Sequence, residues 1–173
     1  MDFLAPYHPL IVHAPVVLLI LSPLFEVVGR LTDLEWWRKA GLVLLVLGVL
    51  GAGAAVLSGG PAGDAAEQRS VPEAAVDAHE RLADLTLYLA SLALVLYVLA
   101  RLQIRGRKAL TALALVVQLA AAVSVGITGY RGGMLVYAHG AAVRVKGQYV
   151  SGPEKTAAPA GVRAPGKADE DRD

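Results

Sequence analysis

Four long apolar stretches constrain the fold of this chain more than any other feature. They run from Pro9 to Val28, Ala40 to Leu57, Leu82 to Ala100 and Ala109 to Ile127. Each approaches the roughly 20 residues that a helix needs to cross a bilayer, and each is too long for the ~10-residue strand of a membrane barrel. A spanning helix also satisfies its own backbone hydrogen bonds. The pattern predicts an all-α membrane protein, an antiparallel bundle of four transmembrane helices.

The length of 173 residues leaves room for one membrane domain. We assign residues 1–150 to it. Residues 151–173 are mostly Pro, Ala, Gly and charged, a composition that predicts a disordered tail. The first apolar stretch is interpreted as a retained span, because no basic residue precedes Arg30 and no small-residue cleavage pattern follows a short apolar run.

Charge and cysteine content exclude several classes of protein. The 16 basic residues balance 15 acidic ones and cluster beside the spans, so no nucleic-acid partner is expected. The chain has no cysteine, which excludes thioether-linked haem, thiolate metal ligands and disulfides. There is no nucleophile motif, phosphate loop or Glu-flanked metal-binding helix. The sequence therefore leaves enzymatic activity open.

The distribution of basic residues predicts the topology. Lys and Arg are concentrated in the first and third links between spans, whereas the second link, residues 59–80, has only Arg69. The positive-inside rule then places links one and three in the cytoplasm and both termini on the outer side. Arg131, Arg144 and Lys146, after the last span, act against this assignment.

Local signals predict where the helices end. Ser58-Gly59-Gly60-Pro61 is typical of a helix stop, and Ser70-Val71-Pro72-Glu73 fits a capping box that starts a third helix running toward Gln103. Residues 128–150 are glycine-rich and then alternate weakly, which predicts a surface loop or small hairpin. The small residues Gly51, Ala55 and Gly59 favour close helix packing. Interhelical hydrogen bonds are predicted for Gln118, Ser124 and Thr128.

The four histidines are the candidate site residues. His8 and His13 begin the first helix, His79 begins the third and His139 follows the fourth, so the predicted topology puts all of them at the outer face. A single interfacial histidine is usually just hydrogen-bonded. Four at one depth predict a cofactor or metal site, because neutral imidazole ligates haem iron, copper and zinc.

Our leading hypothesis is a b-type haem-binding electron-transfer subunit with His13 and His79 as axial ligands. His8 and His139 would cover the site or serve as alternate ligands. The lipid bilayer surrounds the protein, and a quinol or an outer-face cytochrome would exchange electrons with it, because the histidines occupy one leaflet. Three further residues could support the site: Asp84 by orienting a ligand imidazole, unless it pairs with Arg81, and Arg81 or Arg131 by pairing with haem propionates.

Two alternatives remain open. A nonhaem copper or zinc site would use three or four of the imidazoles of His8, His13, His79 and His139, with Asp77 or Asp64 as additional ligands. A cofactor-free structural or assembly subunit would use the histidines as an interfacial hydrogen-bond cluster. The sequence does not indicate the oligomeric state.

Three motifs carry a resemblance to a known family: His8-Pro9-Leu10-Ile11-Val12-His13-Ala14-Pro15, the isolated His79, and Gly133-Met134-Leu135-Val136-Tyr137-Ala138-His139-Gly140. Over about Pro6 to Val143 the chain resembles the domain-of-unknown-function 2231 family of bacterial four-helix membrane proteins. Ala14 stands where the family usually has Phe, and Ala141-Ala142 where it tends to have Val-Gly. The resemblance implies the four-helix fold, the bacterial inner membrane and the importance of the histidines, but no activity.

Overall fold

A computed structural model describes residues 2–102 and 106–150, and within them the predicted all-α bundle is confirmed. Four of its helical segments are long and apolar enough to cross a membrane. The predicted tail and Gln103 lie outside the described residues. The elements in chain order are a 3-10 helix (Asp2–Tyr7), α1 (His8–Ile11), α2 (His13–Leu31), α3 (Glu35–Glu67), α4 (Glu73–Leu102), α5 (Arg107–Tyr137), β1 (Arg144–Val145) and β2 (Gln148–Tyr149).

The long helices pack as a four-sided bundle. Helices α2 and α4 each pack against both α3 and α5. Small side chains dominate the contacts, which lets the helices approach closely and gain dispersion energy. The buried core consists of Leu19, Leu45, Ala52, Ala90, Ala93, Tyr97, Ala114, Ala121 and Val125.

The predicted packing role of the small residues in α3 is seen at successive turns. Gly48 faces Leu19, and a Cβ added to Gly48 would lie 2.6 Å from Cδ2 of that leucine. Gly51 faces Pro15 in the same way, at 3.2 Å from its Cδ. These glycines let α3 lie directly against α2.

A buried hydrogen-bond network joins all four long helices in one layer. The Ser22 hydroxyl of α2 donates to the Gly41 carbonyl of α3 (2.8 Å) and accepts a hydrogen bond from the Gln118 side-chain amide of α5. The Tyr97 hydroxyl of α4 donates to the Gln118 carbonyl oxygen at 2.9 Å. The interhelical role predicted for Gln118 is confirmed. The network also supplies hydrogen-bond partners to buried polar groups, which lipid could not do.

The helix stop predicted at Ser58–Pro61 is wrong, because α3 continues to Glu67 with Pro61 inside it. Another part of the same chain packs against this segment and supports its helical conformation, since Gly59 lies against the ring of His8. A proline removes one helical hydrogen bond, which a packed membrane helix tolerates. The chain turns instead at residues 68–72, where Ser70 has φ +69°. Helix α4 then begins at Glu73, within the Ser70-Val71-Pro72-Glu73 segment predicted to start it.

Helix α5 also outruns its predicted end at Ile127 and continues to Tyr137. The small hairpin predicted after it is present as β1 and β2, with Val145 opposite Gln148. Its two turn residues, Lys146 and Gly147, both have positive φ, as a two-residue primed turn requires.

A second apolar cluster closes the end of the bundle at which the chain starts. We call it the end cap, and it consists of Ala66, Val71, Val76, Leu135 and Ala141. The Arg69 guanidinium lies 3.7 Å from the centre of the Tyr149 ring, and that of Arg144 lies 4.3 Å from it. The Arg69 contact ties the hairpin to the turn between α3 and α4, whereas the Arg144 contact lies within the hairpin.

Candidate cofactor site

Two imidazoles from different helices meet beneath the end cap. The ring centres of His8 and His79 lie 6.4 Å apart, with the planes at 84° in an edge-on arrangement. His8 is the first residue of α1, where the following Pro9 suits a helix start. His79 lies in the second turn of α4. The 3-10 helix and α1 both pack against α3, which places His8 inside the bundle entrance.

The orientation of His79 is fixed by the backbone of α5. Its Nδ1 lies 3.1 Å from the Thr128 carbonyl oxygen, which can only accept, so Nδ1 carries the proton and donates. The Thr128 hydroxyl is itself bonded to the Ser124 carbonyl at 2.8 Å, and Thr86 lies 2.8 Å from the Ser124 hydroxyl. The interhelical roles predicted for Ser124 and Thr128 are confirmed. In the neutral His79 ring the bond to Thr128 favours the tautomer with the lone pair on Nε2.

The orientation of His8 is fixed by a serine of α3. Its Nδ1 lies 2.9 Å from the hydroxyl oxygen of Ser58, a fully buried side chain. That hydroxyl donates to the Ala55 carbonyl at 3.1 Å, so its oxygen accepts the proton of Nδ1. In the neutral ring this bond favours the tautomer with the lone pair on Nε2.

Both imidazoles thus have the form in which histidine ligates metals. A hydrogen bond from Nδ1 to an oxygen commonly fixes the tautomer of a ligand histidine and leaves Nε2 for the metal. Two metal–nitrogen bonds of about 2 Å, in line with their rings, put the ring centres roughly 6 Å apart. The separation between His8 and His79 has this size.

The structure brings His8 beside His79, whereas the sequence prediction had paired His13 with His79. The His13 side chain is exposed on α2. Five residues of helix turn through about 140° beyond one full turn, so His8 and His13 face different directions. With His8 directed toward α3, His13 is directed away from the bundle.

His139 follows α5 and is half-buried in the segment that leads to the hairpin. Within residues 2–102 and 106–150, no group of three or more His, Asp or Glu side chains is arranged to hold a metal ion. The three- or four-imidazole copper or zinc site, with Asp64 or Asp77 added, is therefore not assembled there. The structure contains the pair of His8 and His79 rings instead.

The supporting residues predicted from the sequence lie at the same end but point outward. Arg81 pairs with Asp77 at 3.5 Å, one turn away on α4, and not with Asp84. Asp84 and Arg131 are both exposed. Asp84 was predicted to orient a ligand imidazole. In the structure the Thr128 carbonyl orients His79 and the Ser58 hydroxyl orients His8.

Sequence reasoning missed Ser58 and also an ion pair between buried Glu26 and exposed Arg30 in the opposite half of the bundle. Glu26 of α2 is 6% exposed and lies 3.0 Å from Arg30, which also donates to the Thr111 carbonyl. A signal for Glu26 existed, since it is the acidic residue inside the first apolar stretch. No sequence signal marked Ser58 as a hydrogen-bond partner, because it belonged to the predicted helix stop.

These features define a polytopic four-helix membrane protein with an imidazole pair at one end. Over residues 4–145 the chain matches the family described as predicted membrane protein (DUF2231), and it belongs to that family. No curated protein and no solved structure matches the chain.

Proposed function

We propose that this protein binds b-type haem between His8 and His79 and serves as an electron-transfer subunit. The observation that carries the proposal is the pair of imidazoles from two helices, with ring centres 6.4 Å apart and each ring hydrogen-bonded through Nδ1. Histidines from two separate elements are a common way to hold haem iron without a covalent link to the ring. The absence of cysteine agrees with noncovalent binding.

The position of the pair also suits haem. His8 and His79 lie near the start of α1 and α4, close enough to the bundle end for propionates to reach water while the ring stays among apolar side chains. Arg131 is exposed at this end and could pair with a propionate, and Arg81 could do so by leaving its contact with Asp77. We assign this end to the outer face of a bacterial inner membrane, because the first and third links carry the basic residues.

A site at one end cannot carry electrons across the membrane unaided. The proposal therefore requires a partner on the outer side, either a quinol or an outer-face cytochrome. His13 and His139, which lie apart from the ring pair, take no ligand role in this proposal.

A single copper or zinc ion at the same pair is the second candidate. The ring separation of 6.4 Å fits two nitrogen ligands of one ion as well as it fits two axial ligands of haem. Two imidazoles would leave further coordination positions for outside ligands. In the third hypothesis, without a cofactor, the bonds to Ser58 and Thr128 serve only to join helices.

One preparation distinguishes the three hypotheses. The full chain is purified from cells supplied with a haem precursor, and a reduced-minus-oxidised visible spectrum and a metal analysis are recorded on the same sample. The haem proposal predicts a low-spin spectrum with one iron per chain. Stoichiometric copper or zinc without a Soret band would support the single-ion site. A sample with neither haem nor metal would support the cofactor-free structural role of the pair.

A further inference from the structure

The end of the bundle opposite the histidines has an excess of cations where α4 ends and α5 begins. Arg101 lies in the last turn of α4, and Arg107 and Lys108 are the first residues of α5. All three are exposed. The sequence contains no acidic residue between Asp84, near the start of α4, and Glu154. At this end, neither α4 nor α5 therefore has a carboxylate of its own to balance these cations.

The cations of the first link differ, because acidic side chains accompany them. Lys39 lies 3.3 Å from Glu35, and Arg38 lies 3.8 Å from Asp33. Among the ion pairs formed within residues 2–102 and 106–150, none includes the three cations of α4 and α5. Positive charge without a carboxylate partner is thus concentrated at those two helices.

The contact between α2 and α5 locates this charge in the bundle. The Arg30 guanidinium of α2 lies 3.0 Å from Glu26 and donates to the Thr111 carbonyl of α5 at 3.2 Å. The Thr111 hydroxyl donates to the carbonyl of Arg107, one turn earlier, so both residues lie on one face of α5. Arg107 therefore lies at the end of the contact that Arg30 makes across the two helices.

A tryptophan marks the depth of this end in the membrane. A Cβ at Gly29 would lie 3.0 Å from Cβ of Trp37, so Trp37 packs on α2 beside Arg30. Tryptophan concentrates where hydrocarbon meets headgroups. Arg107 lies one turn, about 6 Å, farther out along α5 than the Thr111 that Arg30 contacts. This distance puts the start of α5 within the headgroup layer, which is roughly 5–8 Å thick on each side.

We propose that Arg101, Arg107 and Lys108, which we call the basic patch, bind the headgroup of an anionic phospholipid such as phosphatidylglycerol. Guanidinium and phosphate form strong, charge-assisted hydrogen bonds, often in pairs. The patch lies at the level of lipid phosphates and has no carboxylate partner, so its charge complements a net negative headgroup. A zwitterionic headgroup would bring its own ammonium group toward the same cations, which weakens binding.

Lipid selectivity is measured by native mass spectrometry on the full chain in detergent, with equal amounts of phosphatidylglycerol and phosphatidylcholine added. The unaltered chain should retain phosphatidylglycerol in preference. Arg107→Gln should weaken phosphatidylglycerol binding about fivefold, and adding Lys108→Gln should weaken it again. Both residues are exposed, and glutamine matches their helix propensity, so the variants should fold.

Lys39→Gln is the matched control, because it removes a cation at the same end that already has a carboxylate partner. Its binding of phosphatidylglycerol should be unchanged. Equal weakening by Lys39→Gln and Arg107→Gln would reveal a general effect of net charge and overturn the proposal. Equal retention of the two lipids by the unaltered chain would also overturn it.

A second measurement distinguishes a lipid headgroup from a free anion. A ligand that binds the folded state raises the midpoint temperature of unfolding. Phosphatidylglycerol should raise it in the unaltered chain but not in Arg107→Gln/Lys108→Gln, and inorganic phosphate at the same concentration should have no effect. An equal rise with inorganic phosphate would identify a site for a soluble anion and contradict the proposal. Neither measurement requires a cofactor, so both are independent of what the histidine pair binds.

Discussion

The ring of His79 rests against the backbone of Gly132, and a Cβ at that glycine would lie 3.0 Å from the ring carbon Cε1. Real Cβ contacts are seldom this short, so the glycine sets how closely the imidazole of α4 approaches α5. The same ring donates to the Thr128 carbonyl one turn away. His79 is therefore positioned by a backbone surface of α5 as much as by its own helix.

Gly132→Ala should displace the imidazole of His79, while Gly133→Ala should not. At Gly133 an added Cβ meets nothing within 4 Å. Both changes gain the same helix propensity, about 1 kcal/mol, so their difference isolates the contact with the ring. The measurement is the cofactor stoichiometry of each variant together with its unfolding in detergent. Equal stoichiometry in the two variants would show that the contact does not position the ring.

Gln118→Leu should destabilise the bundle by about 1–2 kcal/mol. The substitution removes the partner of both Ser22 and Tyr97 and leaves their buried hydroxyls with one bond fewer. Reversible unfolding in mixed detergent micelles measures the effect. The matched control is Gln68→Leu, the same change at an exposed glutamine. Similar losses in both variants would mean that the network contributes nothing.

The hairpin gives a pH-dependent prediction. A hydrogen bond from Arg144 lowers the pKa of the Tyr149 phenol, and the nearby Arg69 guanidinium acts in the same direction. Because the folded pKa lies below the unfolded one, the hairpin and its contact with Arg69 gain stability as pH rises through the folded pKa. Ultraviolet titration of phenolate should show the earliest tyrosine transition move upward in Arg144→Ala and disappear in Tyr149→Phe. An unchanged titration in Arg144→Ala would contradict the contact.

The topology is testable with single cysteines at Gln68 and Lys108, two exposed positions at opposite ends of the bundle. The positive-inside assignment predicts that a membrane-impermeant thiol reagent labels intact cells at position 68 only. Labelling at 108 but not at 68 would invert the protein and place the histidines in the cytoplasm. Permeabilised cells provide the control, since both positions should then react.

Sequence reasoning predicted the spans because apolar length is a strong signal that no local feature overrides. It failed at the end of α3 because a Gly-Gly-Pro segment indicates a stop in isolation. In the bundle the segment is supported by neighbours that local sequence cannot reveal, such as His8 packed on Gly59.

The sequence predicted four clustered histidines with His13 and His79 as the ligand pair, whereas the structure places His8 beside His79 and leaves His13 exposed. Periodicity indicates that His8 and His13 face apart, yet it does not say which of the two faces inward, because His8 belongs to the separate helix α1. The acceptor for His79 is a backbone carbonyl, a group that every residue has, so no sequence pattern marks Thr128. Tertiary contacts decided both points.

The most direct test of the central claim compares three alanine substitutions in haem-loaded protein: His8→Ala, His79→Ala and His13→Ala. The measurement is the reduced-minus-oxidised spectrum of each purified variant beside the unaltered chain. The structure predicts loss of the low-spin spectrum for His8→Ala and His79→Ala, and its retention for His13→Ala, because His13 is exposed. Loss with His13→Ala and retention with His8→Ala would contradict the assignment of the pair.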